Sequence, residues 1–187
     1  MSLHRLARHP ATPSTAIERI DVELGRDARG VRISYRMTGN ADRVVVATLA
    51  PGSSPRVRDE LWRTTCCELF LRDAASTAYR EYNFAPCGDW AAYGFSGYRS
   101  GRVALETRAP RIALARTSDA VVLTVTLTDL APEALDETQR IGLACVVETG
   151  TELSYWALAH PPGTPDFHHE TAFVLTPALD RAVHSGA

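Results

Sequence analysis

Two acids and an amide stand where apolar side chains are expected. Glu68 lies within Thr65–Leu71, read Thr-Cys-Cys-Glu-Leu-Phe-Leu; Glu81 and Asn83 lie within Tyr79–Ala85, read Tyr-Arg-Glu-Tyr-Asn-Phe-Ala. Both runs have the aliphatic and aromatic content of strands. Alternate strand residues face opposite ways, so Cys66, Glu68 and Phe70 share one face, and Tyr79, Glu81 and Asn83 share another. If the two strands pair antiparallel, Glu68 stands beside Glu81 or Asn83. Carboxylates accept hydroxyl protons, amides donate and accept, and aromatic faces cover apolar C–H patches. Trp62 and Trp90 flank this stretch, and Trp156 supplies a third indole in Ser-Tyr-Trp-Ala-Leu-Ala-His, ending at His160. The set Trp62, Glu68, Glu81, Asn83, Trp90, Trp156 and His160 thus has the chemistry of a sugar-binding platform. The competing interpretation is structural. A mid-strand acid usually faces water or pairs with an arginine such as Arg63, Arg72 or Arg80, and strand aromatics usually fill a core.

Other chemistries are poorly served. His160, Asp166, His168 and His169 are types that bind zinc, in a loop stiffened by Pro161, Pro162 and Pro165. Their spacing matches no standard zinc pattern, so no metal is assigned. Cys66, Cys67, Cys87 and Cys145 lack CxxC spacing and read as free, mostly buried thiols. Glu68, Glu81 and Asp89 offer carboxyls for glycoside hydrolysis, but nothing fixes the separation that chemistry needs. GxSxG, HExxH and GxGxxG motifs are absent, so no catalytic residue is assigned and the chain is not read as an enzyme. All 20 basic residues are Arg, which removes lysine Schiff bases and a Walker-type lysine.

The elements that must position these residues follow from composition and periodicity. The 187 residues are 45% hydrophobic and 22% charged, the balance of one soluble domain. A net charge of -2 argues against a nucleic-acid binder. Met1–Pro10 lacks a secretory apolar core, and no apolar run approaches the ~20 residues of a membrane helix. With unpaired thiols, the expected compartment is the cytoplasm. Period-two segments predict strands at Ile17–Leu24, Val31–Met37, Val44–Leu49, Thr65–Leu71, Tyr79–Ala85 and Trp90–Tyr98. Two hairpins follow, Ile112–Arg116 with Ala120–Thr128 and Ile141–Thr149 with Ser154–Ala159, and Ala172–Leu175 is the last strand. Helical turns are expected only at Arg56–Trp62 and Leu130–Leu135. Residues 1–14 are expected to be a flexible segment, 15–176 the β domain and 177–187 a tail.

The run Asp59–Leu71 resembles the strand motif of the DOMON-like superfamily, which includes the family nine carbohydrate-binding modules. Tyr82–Tyr93 and Trp156–Pro161 resemble a bacterial subgroup of DOMON-like proteins without assigned activity. The resemblance spans roughly residues 15–176. It implies an all-β fold, a jelly-roll-like antiparallel β-sandwich of about ten or eleven strands with few or no helices. It also implies a ligand slot on one sheet, where superfamily members hold carbohydrate or haem. In the sugar-binding members, rings clamp a terminal sugar while charged and amide groups bond its hydroxyls. Trp62, Glu68, Asn83, Trp90 and Trp156 are the closest candidates for those roles. The expected function is a non-catalytic module for a small carbohydrate or sugar-containing metabolite, with no cofactor, nucleic acid or membrane partner. One alternative is a haem-binding redox module, whose iron would draw on Met37 or the 160–169 histidines without a CxxCH site. Another is an interaction domain without a small ligand. No protein partner is assigned.

Overall fold

Strict alternation sets the first layer. Ile20, Val22 and Leu24 are buried while Glu23 is exposed, and Val31, Ile33, Tyr35 and Met37 are buried between exposed Arg32 and Arg36. One face meets the core and the other meets water. The computed structural model describes residues 1–177 apart from 28–29, 131–134, 136–137 and 151. Among them are eleven strands: β1 (Ser2–Arg8), β2 (Ile17–Asp27), β3 (Gly30–Gly39), β4 (Cys66–Asp73), β5 (Tyr79–Phe84), β6 (Trp90–Phe95), β7 (Val103–Ala104), β8 (Arg111–Arg116), β9 (Ala120–Leu127), β10 (Gln139–Thr149) and β11 (Glu152–Ala157). Among the described residues helix is limited to single 3-10 turns, including Leu61–Arg63 and Glu170–Ala172.

The strands form one curled antiparallel sheet in the order β7-β6-β5-β4-β10-β11-β1-β2-β3-β9-β8. β1 makes the corner. Its residues Ser2–Leu6 pair with β2, whereas Ala7 and Arg8 pair with β11. The curl brings β2, β3 and β9 against β4, β5, β10 and β11, with Cys67, Leu69, Leu71, Phe84, Leu143 and Val147 filling the space between. Tyr35 reaches across this core, and its hydroxyl donates to the backbone carbonyl of Glu68 at 2.8 Å.

The second layer is covered on both sides. β4 is buried from Cys66 to Leu71 and β10 from Ile141 to Val147; the run of β10 is apolar throughout, and that of β4 is apolar but for Glu68. The outer cover is the chain around 160–173 together with the Leu61–Arg63 turn. Leu61, Phe70, Tyr79, Phe95, Phe167 and Phe173 form a second apolar cluster there. Gly142 permits the close approach: a Cβ on it would lie 3.2 Å from the Cβ of Phe70 and 3.3 Å from the carbonyl oxygen of Ala172.

The all-β expectation holds, and several boundaries move. Within residues 1–14, expected to be flexible, Ser2–Arg8 form β1; backbone pairing holds it, since Leu6 alone of its side chains is buried. Val44–Leu49 is not a strand. It follows the 3-10 turn Ala41–Arg43 as irregular chain, with Val45 N–H donating to the Glu148 carbonyl at 2.8 Å. The Arg56–Trp62 turn contracts to Leu61–Arg63. Ala172–Leu175 ends the 3-10 turn and keeps one bridge, Leu175 to Ile141. Most of the Leu130–Leu135 turn, and the tail from 178, lie outside the described residues.

Tyr35→Phe keeps the ring and removes the hydroxyl that joins the layers. Urea denaturation should show a loss of about 1–2 kcal/mol with an unchanged m-value.

Candidate functional site

β4 and β5 decide the centre of the site. Their register sets Glu68 opposite Asn83 and Phe70 opposite Glu81, so the two acids are diagonal neighbours on the outer face. On the other side of β4, Glu68 pairs with Ala144 of β10, which leaves room above the carboxyl. A cavity of about 310 Å³ opens over this floor. Glu68 and Glu81 line it from below, Trp62, Phe95, Tyr155 and Phe167 supply its rings, and Arg99, Arg102 and His168 supply its cationic groups or their precursors.

Each wall is held by its own contacts. Asp59 ties down the entrance: its Oδ1 accepts from the Tyr93 hydroxyl at 2.6 Å and its Oδ2 from Arg102 Nη2 at 3.0 Å. The Arg102 guanidinium also lies 4.7 Å from the Tyr93 ring centre. Asp59 Oδ1 accepts from the Glu60 N–H at 2.9 Å, and Glu60 takes a left-handed φ of 60° just before the Trp62 turn. A non-glycine residue there is strained, and the surrounding contacts hold it. Trp62 meets Tyr93 edge-on, with centroids 6.3 Å apart. Opposite, Asp166 accepts from the Tyr98 hydroxyl at 2.5 Å, from Arg99 Nη2 at 2.7 Å and from the His168 N–H at 3.0 Å. The ring of His168 is fixed by Tyr79, whose hydroxyl is 2.7 Å from Nδ1, and its Nε2 lies 3.7 Å from Glu81 Oε2.

Burial dominates the electrostatics. Glu68 is 3% exposed, and its Oε1 finds no hydrogen-bond donor among the described residues. Burial, then the neighbouring Glu81, pushes its carboxyl well above the usual range, against the pull of Arg99. Burial also raises Glu81, opposed by the Asn83 amide, which donates to Glu81 Oε1 at 2.5 Å, and by Arg102 and Arg99. His168 is lowered to about 4 by burial and then by Arg99, so it is neutral near pH 7. Asp166 stays below the usual range despite burial, through its bonds to Tyr98 and Arg99.

Trp62, Glu68 and Glu81 thus meet at one cavity, with Asn83 fully buried beside it as the partner of Glu81. Trp90 and Trp156 correct the expectation. Both sit in the interior between the layers, 7% and 4% exposed, because the register puts Trp90 opposite Phe84 and Trp156 opposite Cys145 on the inner face. Trp156 Nε1 is spent on Ser154 Oγ at 2.9 Å. Neither indole reaches a ligand on the outer face. His160 is also elsewhere: its Nε2 lies 2.8 Å from the Ala7 carbonyl oxygen, and its ring stands edge-on to His9. It fastens the loop to β1. Met37 is fully buried between the layers, so neither it nor His160 stands at the cavity as a haem ligand would. Phe95, Arg99, Arg102, Tyr155, Phe167 and His168 join the site without belonging to the set that the sequence pattern suggests for a sugar. Tyr155 carried a usable signal, since it must face opposite to Trp156.

No family model matches the sequence, and no curated protein matches it. Likeness emerges among solved structures. A candidate carbohydrate-binding protein from Bacteroides uniformis superposes with a TM-score of 0.69 at 12% identity, over 93% of this chain and 84% of that one. A family nine carbohydrate-binding module from Caldicellulosiruptor kristjanssonii, in complex with glucose, gives a TM-score of 0.44 at 9% identity, over 82% and 72%. What this chain shares with the first is the fold.

Two substitutions report on the buried charges. A carboxyl whose folded pKa is raised binds its proton more tightly in the folded state, so stability declines as pH climbs above its ordinary value of 4.5. Glu68→Gln should therefore stabilise the protein, and thermal unfolding should show a larger gain at pH 8 than at pH 5. His168 behaves oppositely. Its folded pKa of about 4 lies below the ordinary 6.5, so the unfolded chain takes up the proton first as pH falls. His168→Gln should remove an acid-side loss on the order of 2 kcal/mol between pH 6.5 and 4, read as a flatter stability curve.

Proposed function

We propose that this chain is a non-catalytic module that binds a small carbohydrate or a sugar-containing metabolite in the cavity over β4 and β5. One observation carries the reading: a buried carboxyl with a free oxygen forms the floor of a cavity with aromatic walls. Such an oxygen is costly to bury without a partner, and a ligand hydroxyl or amine supplies one. About 310 Å³ is at the small end of ligand sites and suits a monosaccharide or a terminal sugar. The half-buried Trp62 offers a ring face for the apolar C–H patch of a pyranose, and Arg99, Arg102 and Glu81 offer polar groups for its hydroxyls. The likeness of fold to a candidate carbohydrate-binding protein supports the same reading.

The arrangement of acids favours binding over hydrolysis. Hydrolysis needs carboxyls that flank the scissile bond. Here Glu68 and Glu81 stand on neighbouring strands of one sheet face, below the ligand space, and Asp89 is turned away. Its Oδ1 accepts from the Arg56 N–H at 3.0 Å.

Calorimetric titration with mono- and disaccharides should give a measurable heat, accompanied by a change in tryptophan fluorescence. Trp62→Ala should weaken binding about three- to tenfold, the worth of one stacked ring. Trp156→Phe should lower stability and leave affinity unchanged. A folded protein that gives no heat with any sugar refutes the reading.

A further inference from the structure

Resting on the sugar-binding reading above, we infer that the ligand carries a protonated amine, so that the cavity selects an amino sugar over its neutral or acidic counterparts. Both arginines at the cavity already have partners. Arg99 is held by Asp166 at 2.7 Å and Arg102 by Asp59 at 3.0 Å. Each guanidinium that lines the cavity therefore has a carboxylate of its own. His168 stands beside Glu81 but is neutral, since burial holds it down to about 4. Glu68 and Glu81 remain as a pair of acids on one sheet face without a dedicated cation. Glu81 has the Asn83 amide on Oε1, and Glu68 Oε1 has no donor among the described residues.

A neutral hydroxyl would satisfy one lone pair of this pair of acids and do nothing to offset the cost of ionising them, which burial raises for both. A sugar carboxylate would add a third acidic group above these two. An ammonium supplies up to three donors and the opposite charge together. It also gains from the faces of Trp62, Tyr155 and Phe167 around it, which attract cations. A metal ion is a poor fit, because no three His, Cys, Asp or Glu side chains among the described residues converge as metal ligands. The groups facing the acids are Arg99, Arg102 and His168, with Asp166 and Asp59 behind the arginines. Cys66, two residues before Glu68 on β4, is a thiol pushed up by burial. Of all these, none supplies a free positive charge.

Paired ligands test the inference. Titrations at pH 6.5 would compare glucosamine with glucose, galactosamine with galactose and mannosamine with mannose, adding N-acetylglucosamine and glucuronate. At least one amine should bind about tenfold or more tighter than its neutral partner. Capping the amine as N-acetylglucosamine should remove the glucosamine advantage, and glucuronate should bind weakest. Glu68→Gln should bring the ratio of amine to neutral-sugar affinity down to about one, whatever it does to neutral-sugar affinity itself; Glu81→Gln provides a second reading of the same charge. Neutral sugars bound as tightly as their amines overturn the amine assignment and leave the sugar reading standing. A folded protein that binds none of these sugars overturns both.

Discussion

A carboxyl removed from water needs either a proton or a partner, and Glu68 is placed where the fold supplies neither a donor nor a dedicated cation. That condition follows from the architecture. β4 is a central strand whose stretch Cys66–Leu71 is buried on both faces, so any polar residue within that stretch is committed to the interior. Leu69 and Leu71 obey that demand on the inner face and Phe70 obeys it on the outer one. Glu68 is the exception, and the cavity above it is where the exception is accommodated.

The cover over this layer keeps the cavity open. Asp166 and Asp59 act as two anchors, each binding a tyrosine hydroxyl and an arginine. Charge-assisted bonds of this kind order long side chains that would otherwise sweep through the space. Phe70, Tyr79 and Phe95 pack around His168, Phe173 packs on Phe70 and Tyr79, Tyr79 and Phe95 stack at 4.6 Å, and Gly142 lets the covering chain lie close. The walls are thus set by packing and ion pairs before any ligand arrives, which limits the ordering cost of binding.

The first layer contributes rigidity at a distance. Tyr35 joins it to the backbone of Glu68 itself, and β1 closes the curl by pairing with both β2 and β11. His160 adds a tether from the covering loop to Ala7 at the end of β1. The amino-terminal strand, nearly devoid of buried side chains, therefore holds both the corner of the sheet and one end of the cover.

Local periodicity settled much of this protein in advance. Alternation identified most of the strands, both hairpins and the shared face of Glu81 and Asn83, because side-chain direction in a strand depends on the next residue alone. It also singled out Glu68, since an acid inside an apolar run is anomalous wherever the chain goes. Alternation states which residues share a face but not which face turns inward. Trp156 and Tyr155 are equally good candidates for a ligand wall in sequence, and the pairing of β11 with β10 sends Trp156 inward and Tyr155 to the cavity. The same holds for Trp90. β1 escaped notice because its stability comes from backbone pairing with distant strands, and Val44–Leu49 misled because an apolar run needs an unpaired strand edge to join. Arg99, Arg102, Phe167 and His168 come from segments far apart in the chain. Only the folding of the sheet and the Asp59 and Asp166 anchors bring them over Glu68, since long-range pairing, not local preference, decides which surfaces meet.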